Sequence, residues 1–263
     1  MIGLALSTVS GDGFIDNHFS NTLEVAPKIG YKYIEFNCWH ASDLTPRTIK
    51  NLRRRSADLG LTPISVYGSS FGFSGWSDVG KDVGHKIRMI EAALELGCHR
   101  VVATGAGRGQ MGGLPGVIKT LEQVTPFAEE CGVVICLENH ANNNLEFIED
   151  YDEVFKAIPS PNVGLCVDTG HFDASRVNLD DVVDHFRAKI NHIHVKEAAA
   201  LGVPKFVRFG EGVTANNRVI ERTIGYGFQG FIAVELAIED KSNLLNDLRK
   251  PYEMFSRYET WRL

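Results

Sequence analysis

Eight strand-then-helix units run head to tail through this 263-residue chain, and that repeat predicts an α/β protein closed into one (β/α)8 barrel. Three observations carry the prediction. Short apolar runs alternate with helix-period runs, as in parallel βαβ units. The length suits one closed barrel around one core. The segments that follow the strands are longer and richer in glycine, histidine and aromatic residues than those that follow the helices, which places an active site at the C-terminal ends of the strands. Periodicity alone leaves an open doubly wound sheet as the alternative. The range 1–263 reads as one domain.

Each element has a local reason. IGLAL (2–6) is the first strand, followed by a polar, glycine-containing loop to Ser20 and a helix over 21–30 that ends on Gly30. YKYIEFNC (31–38) is the second strand. Thr45 and Pro46 read as an N-cap with proline at the first helical position, opening a helix over 46–60. TPISVYG (62–68) is the third strand, and a long glycine-rich, aromatic loop separates it from a helix over 80–97. HRVVATG (99–105) is the fourth, with Pro115 starting a helix that runs through Cys131. VVICLENH (133–140) leads to a helix over 144–158, and VGLCVDTGH (163–171) to one near 179–188. After INHIHVKE (190–197) come an insertion over 198–215, a helix near 216–226, FIAVELA (231–237) and a closing helix over 242–260.

Composition excludes some functions. The 44% hydrophobic and 23% charged residues are ordinary for a globular chain. A net charge of −6 and a pI near 5.9 speak against a dedicated binder of nucleic acid or anionic membrane. No apolar run approaches the roughly 20 residues of a membrane span. The start, MIGLALSTVSGDG, reads as a first strand rather than a signal peptide. Five cysteines form no CxxC pair, and Cys38, Cys136 and Cys166 lie in strand-like runs where a buried thiol is expected. A reducing, cytoplasmic setting follows as an expectation.

Four strands end in groups able to bind a metal: Glu138, Asp168, His194 and Glu235, spaced by 30, 26 and 41 residues. Those gaps approximate one repeat each, the last enlarged by the insertion, so the four groups should converge. Residues two apart share a strand face. Cys136 with Glu138, Cys166 with Asp168 and Ala233 with Glu235 therefore place small residues one layer below polar ones. A lone glutamate at a strand end is more often a solvated cap, and only the repeat spacing argues otherwise.

The motifs LEN (137–139), DTGH (168–171), HIHVKE (192–197), FGEG (209–212) and VEL (234–236) occur in an order that resembles the xylose isomerase-like TIM barrel superfamily, within it the sugar phosphate isomerase/epimerase family. The resemblance covers essentially the whole chain. It implies one divalent metal ion, Mn2+ first with Mg2+ or Co2+ as alternatives, held by Glu138, Asp168, His194 and Glu235. It further implies that Glu138 and Glu235 are the acid/base pair, that His171 contacts substrate, and that the protein is a homodimer or homotetramer. Epimerases of free ketoses in this group carry an arginine six residues after the metal-binding histidine; here that position is Ala200, and Arg208 in the insertion is the substitute. The apurinic-site endonucleases of this fold need extra histidines where this chain has SVYGSS and VVATGA, so a nucleic-acid partner is not expected.

The chemistry matches the residue types. Moving a proton between adjacent carbons of a ketose requires a base beside a carbonyl, a cation to stabilise the enediolate, and an acid to return a proton. Three carboxylates and an imidazole suit Mn2+, Mg2+ or Co2+ better than a thiolate-rich zinc site. The expected function is a metal-dependent isomerase or epimerase of a ketose or keto-sugar, free or phosphorylated. The alternatives are a lyase or dehydratase of a keto-inositol, keto-sugar or dehydroshikimate-like substrate, and a non-catalytic sugar-binding barrel.

Further candidates surround this set. Lys196 reads equally as a substrate contact and an ion-pair partner, and His192 as a brace within the barrel. His140 is a weaker site candidate; His40, His99 and His185 read as surface or packing residues. Glu35 and Asn37, with Trp39 nearby, are positioned to meet substrate hydroxyls. GAGRGQMGG (105–113) reads as a turn or lid, or as a phosphate cradle completed by Arg108. Phe71, Phe73 and Trp76 read as aromatic residues of a lid over the barrel mouth, with a subunit interface as the alternative.

Overall fold

Parallel strands joined by helical crossovers twist until the first can pair with the last, and here they do. The computed structural model describes residues 1–14, 18–72, 79–110, 112–236 and 238–260. The first seven strands are β1 (Ile2–Ser7), β2 (Tyr33–Asn37), β3 (Thr62–Phe71), β4 (Arg100–Gly105), β5 (Val134–Glu138), β6 (Val163–Asp168) and β7 (Ile190–Val195). The insertion folds as an antiparallel hairpin of β8 (Ala198–Ala200) and β9 (Val203–Phe206). Then β10 (Gly230–Val234) pairs with both β7 and β1 and closes the barrel. The protein is a (β/α)8 TIM barrel, not an open sheet.

The outer layer follows the periodicity. Its main helices are α2 (Ser20–Ile29), α3 (Pro46–Asp58), α4 (Val79–Leu96), α5 (Gly113–Cys131), α6 (Ile148–Ala157), α8 (Leu179–Phe186), α9 (Asn216–Gly225) and α10 (Leu244–Phe255). Thr45 caps α3 by accepting from the Thr48 amide, and Gly30 closes α2 at a φ of 119°. Two short helices depart from expectation. The loop after β1 contains α1 (Thr8–Asp12), and α7 (Thr169–Ala174) starts directly after Asp168. Among the described residues, no helix is long and apolar enough to cross a membrane.

Two elements end differently from their sequence reading. β3 extends to Phe71, whose side chain is buried in the core with the Lys86 ammonium 4.7 Å from its ring. Phe71 is therefore not part of a lid; Phe73 and Trp76 lie outside the described residues. β10 stops at Val234, yet the Glu235 amide still donates to the Val195 carbonyl at 3.1 Å, which keeps Glu235 against the barrel rim.

Side chains fill the barrel in layers. Ala5, Tyr33, Ile64, Phe231 and Ala233 form one inner cluster, with the Tyr33 and Phe231 rings 5.3 Å apart. Val9, Tyr67, Val102, Cys136 and Cys166 form the other. The small side chains of Cys136, Cys166 and Ala233 stand on the inner face, as the parity of their strands requires. The polar side chains of Glu138, Asp168 and Glu235 stand above them at the C-terminal rim. Close packing near Gly164 has a measurable consequence: a Cβ there would lie 2.6 Å from the Lys189 carbonyl oxygen. Gly164→Ala should cost about 1–3 kcal/mol in urea unfolding, and an unchanged midpoint would refute this packing account.

Candidate active site

Three strand ends and the turn after β10 deliver the polar layer. Register sets Glu138 beside Cys166, and Asp168 beside His194, while Ala233 lies beside His194 on the other flank. One ligand atom from each of Glu138, Asp168, His194 and Glu235 lies within 4.8 Å of all the others. His194 Nδ1 stands 2.6 Å from Glu138 Oε1 and 2.8 Å from Glu235 Oε2. The Lys196 ammonium bridges Asp168 Oδ2 at 2.9 Å and Glu235 Oε1 at 3.0 Å. All five side chains are buried.

Backbone bonds hold these groups in place. Asn139 donates to the Asp168 carbonyl at 2.9 Å and accepts from the Asp168 amide at 2.7 Å. Asp168 Oδ1 accepts from the His171 amide at 2.8 Å and so caps α7, while Oδ2 faces the cluster. The Lys196 amide donates to Thr169 Oγ1, whose hydroxyl donates to Asn216 at 2.7 Å; Asn216 in turn donates to the Lys196 carbonyl at 3.1 Å. Asn139 and Thr169 were visible only as letters within the LEN and DTGH motifs. Asn216 carried no sequence signal at all.

Burial and charge work against each other here. Burial, reinforced by the Glu235 and Glu138 charges, pushes Asp168 up to about 7 despite Lys196. Against the upward push of burial, Lys196 and His194 hold Glu235 down at about 2. Burial opposes charge on His194, but Cys166, Glu35 and Glu138 outweigh it and raise its pKa well above 6.5. A divalent cation fits this arrangement. Glu138 Oε2 is buried and accepts no hydrogen bond, and three carboxylates face one another with a single ammonium among them. Glu138, Asp168, His194 and Glu235 are the residues able to hold such a cation, and Cys166, His192 and His194 form a second potential group deeper in the barrel.

Other predicted residues are placed as follows. Glu35 has no exposed surface: it lies under His194, 3.0 Å from His194 Nε2 and 3.1 Å from His192 Nε2, and accepts from Ser65 at 2.7 Å. A direct substrate contact is therefore corrected, because β2 points this side chain into the closed barrel. Asn37 donates to the Gly13 carbonyl at 2.9 Å and pins a loop. Trp39 remains at the mouth, half-buried, packed edge-on against Tyr67 and Phe14.

His171 forms the facing wall. Its Nδ1 accepts from the Ala141 amide at 3.3 Å, so the ring proton resides on Nε2. Burial, with Lys196 and His140 beside it, keeps the ring neutral. His140 stacks on it with centroids 3.7 Å apart, and Phe206 from the hairpin packs edge-on at 4.6 Å. Arg208 is on the exposed rim, paired with Asp247 at 3.0 Å. Arg108 is paired with Glu146 and Asp150, and its amide donates to the Asn142 carbonyl, so the turn over 107–110 has its cation already committed; residue 111 of the 105–113 stretch lies outside the described residues.

A profile described as a xylose isomerase-like TIM barrel matches residues 23–256. The chain belongs to that family, whose members are mostly enzymes. No curated protein matches significantly in sequence. Among solved structures, a zinc-bound IolI protein aligns with a TM-score of 0.79 and 21% identity, covering 98% of this chain and all of that one. A D-psicose 3-epimerase of Clostridium cellulolyticum H10, solved with D-tagatose, aligns at 0.78 with 17% identity, over 97% of this chain and 98% of its own. The probable 3-DHS dehydratase AsbF of Bacillus anthracis aligns at 0.75 with 16% identity, over 96% and 98%.

The buried histidines make stability pH-dependent. Burial pushes His192 down to about 4, and His85, beside Ser69, likewise to about 4, both from 6.5. The unfolded chain then takes up these protons first, so stability falls as pH drops from about 6.5 towards 4. His194, raised above 6.5, acts oppositely: its contribution is present below 6.5 and is lost as pH rises through its folded value. Urea unfolding of metal-free protein between pH 7 and 4 should show the acid decline, and His85→Gln should make it shallower. Identical slopes in the two proteins would contradict this.

Proposed function

We propose that the protein is a divalent-metal-dependent isomerase or epimerase of a ketose or keto-sugar. The observation that carries this reading is the pair Glu138 and Glu235, both against His194 Nδ1 and in one cluster with Asp168 at the C-terminal ends of the strands. Glu138, Asp168, His194 and Glu235 would hold the cation, with Mn2+ the favoured metal. Bound there, it would supply Lewis-acid stabilisation of charge developing on the substrate oxygens. The protein's own groups do the rest. One glutamate removes the proton from the carbon next to the carbonyl, and the other returns a proton to the opposite face. His171 offers its Nε2 proton to a substrate oxygen, and Lys196 balances the charge of Asp168 and Glu235. Trp39 and Phe206 provide apolar faces for the sugar ring. Arg208 and Arg108 are both engaged by carboxylates, which favours an unphosphorylated substrate.

A second reading, a dehydratase, has its own support. Lys196 and His171 place N–H acids beside the carboxylates, where a departing β-hydroxyl could be protonated, and one structural neighbour carries a dehydratase name. The test separates the two. Mn2+-loaded protein is incubated with pooled ketoses, keto-inositols and keto-acids in D2O, and product masses are read. Gain of one deuterium, falling by about 10²- to 10⁴-fold in Glu235→Gln, supports the isomerase; net loss of water supports the dehydratase. Neither change across the panel would count against both.

Metal dependence is tested separately. Titration of the metal-free protein should show one Mn2+ or Zn2+ per chain. Asp168→Asn should weaken binding by more than the roughly 10- to 100-fold that loss of a supporting residue costs. Undiminished affinity would remove Asp168 from the ligand set.

A further inference from the structure

We infer that Glu35 is the positioning residue of the metal centre: it holds the His194 ring by Nε2 so that Nδ1 is presented to Glu138, Glu235 and the cation between them. This rests on the metal reading above and adds a residue outside the four ligands. Glu35 stands on β2 and His194 on β7, separated around the barrel by β1 and β10. The two side chains meet only across the barrel interior. Glu35 Oε1 is 3.0 Å from His194 Nε2, and Oε2 is 3.1 Å from His192 Nε2. The Ser65 hydroxyl donates to Oε2 at 2.7 Å and anchors the carboxylate from β3.

All four side chains are fully buried, so water cannot substitute for any of these contacts. A metal-binding imidazole must be bare on the coordinating nitrogen and protonated on the other. With Nδ1 turned to the carboxylate cluster, the proton of a metal-bound His194 would belong on Nε2, where Glu35 Oε1 stands at 3.0 Å; neither atom makes a hydrogen bond in this structure, and we assign them to each other. His192 meets the same carboxylate from the layer below and restricts its rotation. The carboxylate also raises the donor strength of the ring, as outer partners of metal-bound histidines do.

The test uses the full-length protein, metal-free and then loaded with Zn2+ or Mn2+. Glu35→Gln keeps the shape and removes the charge; it should weaken metal affinity by about 10- to 100-fold in calorimetric titration. Ser65→Ala leaves the carboxylate but removes its anchor, and should weaken affinity by about 2- to 10-fold, the effect of one hydrogen bond. A second readout is spectroscopic. In 15N-edited spectra of the zinc-loaded protein, the His194 Nε2 proton should be strongly deshielded and slow to exchange, and should move upfield in Glu35→Gln. A merely structural role would leave that proton unmoved while lowering the unfolding temperature of the metal-free protein.

Unchanged affinity with an unmoved proton overturns the inference while leaving the metal reading intact. Two metal ions in the wild type and one in Glu35→Gln also overturn it, by making Glu35 a ligand of a second ion shared with Cys166 and His192. A wild type that takes up no metal removes the metal reading and this inference together. Should Glu35→Gln fail to fold, Ser65→Ala decides on the same two readouts.

Discussion

The interaction on which this structure depends is the mutual repulsion of buried carboxylates. Glu35, Glu138, Asp168 and Glu235 are each no more than 2% exposed, and Lys196 is the ammonium set among the upper three. Taking one such ion out of water costs several kcal/mol after relaxation. A chain selected for stability alone would fill this space with aliphatic side chains. The barrel instead brings three carboxylates onto one histidine–lysine pair, an arrangement that a divalent cation balances and that local packing alone does not.

The surrounding structure counters that repulsion with rigidity. Asn139 and Asp168 exchange hydrogen bonds across β5 and β6, and Thr169, Asn216 and Lys196 close a ring of polar contacts on the β7 side. Both sets act on backbone as well as side chains, so the ligand atoms are placed by the strands rather than by flexible rotamers. Below, Tyr33 and Phe231 plug the barrel. The bottom of the barrel thus serves stability, and the top holds the reactive groups, a division common to this architecture.

The mouth is built asymmetrically. One wall is aromatic, with Phe14, Trp39 and Tyr67 packed edge to face. The other is the stacked pair of His140 and His171, with Phe206 from the hairpin packed edge-on against His171. The insertion, which in sequence looked only like a candidate source of a replacement arginine, contributes Phe206 to the site wall; Arg208 turns to Asp247 on the rim.

Much of this was legible in the residues. Strand–helix alternation, the repeat spacing of Glu138, Asp168, His194 and Glu235, and the small residues two positions before three of them are local patterns. Local patterns survive in sequence because a strand's inner face is set by its own periodicity of two. Phe71 was misread because nothing in a glycine-rich stretch marks where pairing with a neighbouring strand stops. Arg108 and Arg208 gave no sign of their carboxylate partners, which lie 38 to 42 residues away along the chain. The sequence by itself determined which strands carry the polar groups and on which face. Only the tertiary structure decided that Glu35 belongs beneath His194 rather than at the substrate. Strand periodicity cannot report which side chains meet across a barrel once its first and last strands have joined.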